Sequence, residues 1–173
     1  MLDRKDFKSP VGFDTTEGYR FITTILEQTN SLIENALEME LRSCNLSVAQ
    51  FRILSLLASV GEEGSTIEGM SVLMIRKLNT ISTMVNNMEK QGLVRRVKKG
   101  RKQKSRIYIT AQGRDLFEQQ LHTDALEAIL SVLSQKEQED FLYLLFKIRD
   151  SAEESLGLRQ YRTKKAKRSQ IMI

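Results

Sequence analysis

The chain has 173 residues, 40% of them apolar, and carries 27 Lys and Arg against 22 Asp and Glu, a formal charge of +5. That length suits one domain of ordinary size, or one domain with a helical extension, and the apolar share is enough for a core. A single cysteine, Cys44, excludes an intrachain disulfide framework, and no apolar run approaches the length of a membrane span.

In chain order, residues 1–13 read as a loose arm holding the only proline, Pro10. This start is charged and lacks the apolar stretch of a signal peptide, so the expected location is the cytoplasm. Asp14-Thr-Thr-Glu17 has the form of a helix N-cap with a reciprocating Glu. Behind it Ile22, Ile25, Leu26, Leu32, Ile33, Leu37 and Leu41 keep helical spacing for about seven turns. Ser47-Val-Ala-Gln50 is a second capping box, opening a helix through Phe51, Leu54 and Leu57 to Gly61. The stretch 61–64 reads as a loop, and Ser65-Thr-Ile-Glu68 as a third box that starts a short helix with Ile67, Met70 and Met74 inward.

The next helix is the most informative. Ile81, Met84, Val85 and Met88 fall on one face, while the other carries Asn79, Thr80, Ser82, Thr83, Asn86, Asn87 and Lys90, short polar side chains with almost no carboxylate. Gln91-Gly92 closes it, since a glycine just past the last turn takes the left-handed conformation at little cost. Residues 93–97 and 105–109 then alternate as two strands around a turn at Gly100. Between positions 95 and 106 lie eight cations and no acid. After the hairpin, Thr110-Ala-Gln-Gly113 starts a long helix with Leu116, Phe117, Leu121, Leu126, Ile129, Leu130 and Leu133 in period. Ser134-Gln-Lys-Glu137 opens a last helix through Phe141, Leu142, Leu144, Leu145 and Ile148.

A polar-faced helix followed by a basic hairpin is the plan of a winged helix. The expected fold is mainly α with a small β-hairpin wing, a winged helix-turn-helix carrying long dimerisation helices. Six further cations lie between positions 159 and 168. With the hairpin they make 14 of the 27 basic residues, so the rest of the chain is acidic, 13 cations against 22 carboxylates. Such asymmetry points to a nucleic-acid surface on a soluble body. The expected base readers are Asn79, Thr80, Ser82, Thr83 and Asn86. Arg101, Lys102, Lys104 and Arg106 are expected on phosphates, with Lys98 and Lys99 secondary. The terminal helices hold more apolar surface than one small domain covers, so a symmetric homodimer through Ile22, Leu26, Ile33, Phe141 and Leu145 is expected. The divisions are an arm over 1–15, a dimerisation region over 16–45 and 114–156, a winged helix-turn-helix over 46–113 and a basic tail over 157–173.

Leu46-Ser-Val-Ala-Gln-Phe-Arg-Ile-Leu54, Gly92-Leu-Val-Arg-Arg96 and Ile109-Thr-Ala-Gln-Gly113 resemble three signature segments of MarR-family transcriptional regulators, and the order of elements is similar over about 16–148. The resemblance implies an obligate homodimer that binds a pseudo-palindromic operator in double-stranded DNA, usually as a repressor. It also implies loss of DNA affinity when a small aromatic or anionic effector binds. Two features depart from the family pattern. Its wings commonly carry an Asp shortly before an Arg, the acid holding the base, whereas residues 101–106 hold no acid. Thr83 stands where the family often has a basic residue.

Other chemistry is thin. His122 reads as a surface or interface residue and Cys44 as an inert or partly buried thiol. One His and one Cys cannot build the usual zinc set, and no phosphate loop or nucleophile motif occurs, so neither cofactor, metal nor enzymatic activity is expected. A second reading stays open: a winged-helix interaction module whose hairpin binds an acidic protein.

Overall fold

The computed structural model describes residues 7–12, 14–98, 104–120 and 124–158. It is mainly helical with one small antiparallel hairpin. The first helix, α1 (Thr16–Leu41), is capped by Thr15, one residue later than the sequence suggests. Thr15 Oγ1 accepts from the Gly18 N–H at 3.0 Å and donates to the Gly12 carbonyl at 3.0 Å. Asp14 cannot cap because its φ is 65°, and an N-cap needs extended backbone. A short 3₁₀ turn over Arg42–Cys44 and a left-handed Asn45 then turn the chain by 81°.

Helix α2 (Val48–Val60) opens with the expected capping box, Ser47 and Gln50 satisfying each other's backbone N–H groups. The stretch after it, expected as a loop, is a second 3₁₀ turn over Gly61–Glu63. The third box is also displaced by one residue. Thr66, not Ser65, caps α3 (Ile67–Leu73), accepting from Gly69 N–H at 3.0 Å. Ser65 is buried and exchanges two backbone hydrogen bonds with Ile107, at 2.9 and 2.7 Å. A residue already bridged to a strand on both sides cannot also take up the cap.

Helix α4 (Leu78–Lys90) follows, then β1 (Val94–Val97) and β2 (Arg106–Ile109), paired from Val94↔Ile109 to Val97↔Arg106. The single long helix expected next is two helices, α5 (Ala111–Gln119) and α6 (Asp124–Leu130). Their periodicity reads as continuous because Leu116, Phe117 and Leu126 all pack against one core. The restart is set from far away in sequence: Ala125 N–H, in the first turn of α6, donates to Glu40 Oε1 of α1 at 3.1 Å. The last helix, α7 (Gln135–Ser155), opens with the expected Ser134–Glu137 box.

One core joins the end of α1 to the middle of the chain. Leu41, Ile53, Leu54, Leu57, Met70, Ile81, Val85, Met88 and Ile107 are essentially inaccessible to water. At about 1.5–3 kcal/mol for each large apolar side chain buried, this cluster is what holds α2, α3, α4 and the hairpin in one unit. The three sequence segments that resemble the MarR family meet here. Gln50 Nε2 donates to Gln91 Oε1 at 2.8 Å, linking the start of α2 to the end of α4. Thr110 Oγ1 caps α5 at Gly113 N–H and donates to the Gly92 carbonyl at 2.6 Å. Gly92 has φ +75°, and a Cβ on Gly113 would run into the Leu93 carbonyl. Both glycines are thus required by conformation or close approach.

Candidate nucleic-acid interface

Helix α4 is fixed by its apolar face. Ile81, Val85 and Met88 are fully buried and Met84 is half-buried, so the opposite face must turn outward. Asn79, Thr80, Thr83 and Asn86 are exposed there, and Ser82 is half-buried at the margin. The side chains of Asn79, Thr80 and Thr83 have no hydrogen-bond partner among the described residues. The first turn holds no acid, and Lys77 at the N-cap makes no side-chain capping bond. The end of the helix whose N–H groups favour anions therefore carries no carboxylate of its own.

The hairpin lies beside this face, and four of the described cations on it have partners, while Lys98 is exposed and has none among the described residues. Lys104 Nζ sits 2.6 Å from Glu68 Oε1 of α3. The Lys104 ammonium, with help from the backbone N–H of Glu68 and the Thr66 hydroxyl, holds the Glu68 carboxyl below its ordinary range. Arg106 Nη1 donates to the Glu63 carbonyl at 2.6 Å, clasping β2 to the turn before α3. The Arg95 guanidinium lies over the Tyr108 ring, 5.0 Å from its centroid. Arg96 donates from Nη2 to Asn86 Oδ1 at 2.6 Å, and from its backbone N–H to Glu89 Oε1 at 3.0 Å.

Sequence reasoning missed these partners. The wing lacks an internal acid, but Glu68 supplies one from α3, 36 positions away. No local pattern marks Glu68 for this role, since it also reads as a helix-capping residue. Arg101 and Lys102, expected on phosphates, lie outside the described residues, as do Lys99, His122 and the cations of the tail.

The five residues expected at a dimer interface fall into two groups. Ile22, Leu26 and Phe141 are exposed, each about two-fifths accessible. Ile33 and Leu145 are half-buried, and Ile33 packs against the core of its own chain. Among the described residues no single helix is long and apolar enough to cross a membrane, and no cluster of His, Cys, Asp and Glu could hold a metal ion. Cys44 is half-buried, its Sγ 3.4 Å from the Ser43 hydroxyl.

A helix-turn-helix (α3 and α4) followed by a two-stranded wing, set between long terminal helices, defines a winged helix-turn-helix protein. Known structures share this whole arrangement. The organohalide-sensing transcriptional regulator RdhR, in its 2,4-dichlorophenol-bound form, is 28% identical; the match covers 84% of this chain and 87% of that one with a TM-score of 0.70. MepR of S. aureus, solved with DNA, is 20% identical over 75% of this chain and 96% of its own, TM-score 0.68. A mutant MarR of E. coli complexed with operator DNA is 19% identical over 73% and 92%, TM-score 0.67. No protein-family model and no curated protein matches the sequence. The chain has the winged-helix fold seen in MarR-family regulators.

Proposed function

We propose that this protein is a homodimeric, sequence-specific DNA-binding transcriptional regulator, acting as a repressor in the cytoplasm on a pseudo-palindromic operator. The observation that carries this reading is α4: three residues locked into the core force an acid-poor face of Asn and hydroxyl side chains outward, next to a cationic hairpin. Such a helix suits the major groove, where Asn and hydroxyl groups bond base edges. Asn79, Thr80, Ser82, Thr83 and Asn86 are the proposed readers. Lys104, with Arg101 and Lys102, is proposed to contact phosphate, and Arg106 to anchor the wing while turning its remaining donors to the backbone. MepR and MarR have been solved on DNA, which supports the same use of this fold.

The exposed apolar faces of α1 and α7 support pairing of two subunits through Ile22, Leu26, Ile33, Phe141 and Leu145. In this reading 16–45 and 114–156 form the dimerisation region, 46–113 the reading head, 1–15 an arm and 157–173 a basic tail. RdhR holds a chlorinated phenol, which supports a small aromatic or anionic effector as the release signal. The decisive measurement is a mobility shift with duplexes selected from a random pool against unselected duplex. Selected DNA should bind far more tightly. Equal binding to both, or binding to an acidic protein only, would overturn the proposal.

A further inference from the structure

The Asn86 side chain is held in one orientation by a residue outside its helix. Arg96 lies on β1, where it pairs with Ile107, whose side chain is fully buried. Its backbone N–H donates to Glu89 Oε1, and its Nε lies 3.7 Å from Glu89 Oε2. Thus anchored from two sides, its Nη2 reaches Asn86 at 2.6 Å. A guanidinium has five donors and no acceptor, so the Asn86 atom that faces it must be the amide oxygen. The oxygen–nitrogen ambiguity that attends an isolated amide is removed by charge. The Nδ2 amino group is then the end left to face outward.

This matters for what position 86 can read. Bidentate recognition of adenine needs both ends of the amide, the oxygen accepting from N6 and the amino group donating to N7. With its oxygen shared with a cation at short range, Asn86 presents donors. The base edge that offers two acceptors in the major groove is guanine, through N7 and O6. Cytosine, which presents an N4 amino donor, is the edge most disfavoured. Asn79 has no comparable partner among the described residues and keeps both ends for adenine.

Resting on the reading of α4 as a DNA-recognition helix, we infer that Arg96 is a positioning residue for base readout: it turns the Asn86 amide so that position 86 selects guanine rather than adenine.

The test selects bound sites from a random duplex pool with the wild type, Asn86→Ala, Asn86→Asp, Arg96→Lys and Arg96→Gln, each checked for helicity by circular dichroism. Asn86→Ala should lose preference at one base pair per half-site, which identifies the position, and the wild type should favour guanine there by about tenfold. Asn86→Asp still accepts from Arg96 but has no donor, so its preference should move to cytosine. Arg96→Gln should let adenine compete at that pair with the other positions unchanged, and Arg96→Lys should keep guanine. If Arg96→Gln fails to fold, the Asn86→Asp switch carries the test, because it leaves Arg96 in place. A wild type that selects no motif overturns the DNA reading and this inference with it. A clear wild-type motif that Asn86→Ala leaves unchanged, or one with adenine at the marked position, overturns this inference alone.

Discussion

The middle of the chain and its ends solve the burial problem differently. From Leu37 to Phe117 every α-helix and both strands contribute to one apolar cluster, and α2 alone buries Val48, Ile53, Leu54, Leu56 and Leu57. In α7, 21 residues long, only Glu153 is buried, and Phe141, Leu142, Leu144, Phe146 and Ile148 face outward. The first half of α1 resembles α7, with Phe21, Ile22, Ile25 and Leu26 exposed. Apolar side chains exposed in such number along two helices are far from the scattered exposure of an ordinary surface. The winged centre buries its own apolar faces; the terminal helices leave much of theirs exposed.

The largest effect should come from breaking that cover. Leu26→Glu combined with Phe141→Glu places charge on both exposed faces without touching the core. The double variant is expected to sediment as a monomer, keep its helicity and lose operator binding entirely. Ile33 is a poorer probe, because it also packs against its own core. A wild type that sediments as a stable monomer at operator-binding concentrations sinks the dimer half of the comparison.

Next comes the centre itself. Leu57→Ala, at a fully buried position, should cost about 2–5 kcal/mol in urea unfolding. Leu142→Ala, at a position half exposed, should cost under about 0.5 kcal/mol if measured in the monomeric variant. Equal losses at the two sites would erase the distinction between the regions.

A smaller effect is expected where two signature segments join. Thr110→Ala removes the α5 cap to Gly113 and the bond to Gly92. It should lower stability by about 0.5–2 kcal/mol, read from the denaturation midpoint. Thr15→Ala, at the cap of the exposed α1, should fall at the low end of that range because fewer core contacts depend on its first turn.

The smallest effect belongs to the wing pair. Glu68 ionises more readily in the folded chain than in the unfolded one, because Lys104 stabilises the carboxylate. Its contribution is therefore complete above the ordinary carboxylate pKa of about 4.3 and is lost as pH falls through the lower folded value. Both side chains are well exposed, so the pair should stabilise by no more than about 1 kcal/mol. Glu68→Gln should remove this portion of the acid sensitivity; an unchanged acid limb would show that the pair contributes nothing.

Periodicity made most of the elements readable in advance. The inward faces of α2 and α4, the boxes at Ser47 and Ser134 and the two strands all depend on neighbours within a few positions, and each lies where the spacing puts it. The two misplaced caps have different causes. Asp14 and Ser65 have the right chemistry for caps, but backbone conformation at one and a strand bridge to Ile107 at the other move the cap along by one residue. The restart at α6 rests on Glu40, 85 positions away.

The sequence by itself determined which face of α4 turns outward, because Ile81, Val85 and Met88 leave the helix only one way to bury its apolar side. It also determined that cations crowd the hairpin, since charge is a property of composition. Only the tertiary structure decided what those cations do. Lys104 meets Glu68, Arg106 meets the Glu63 carbonyl and Arg96 meets Asn86. Hydrogen bonds act over about 3 Å between atoms that chain topology brings together, and no local periodicity records which distant partners those will be.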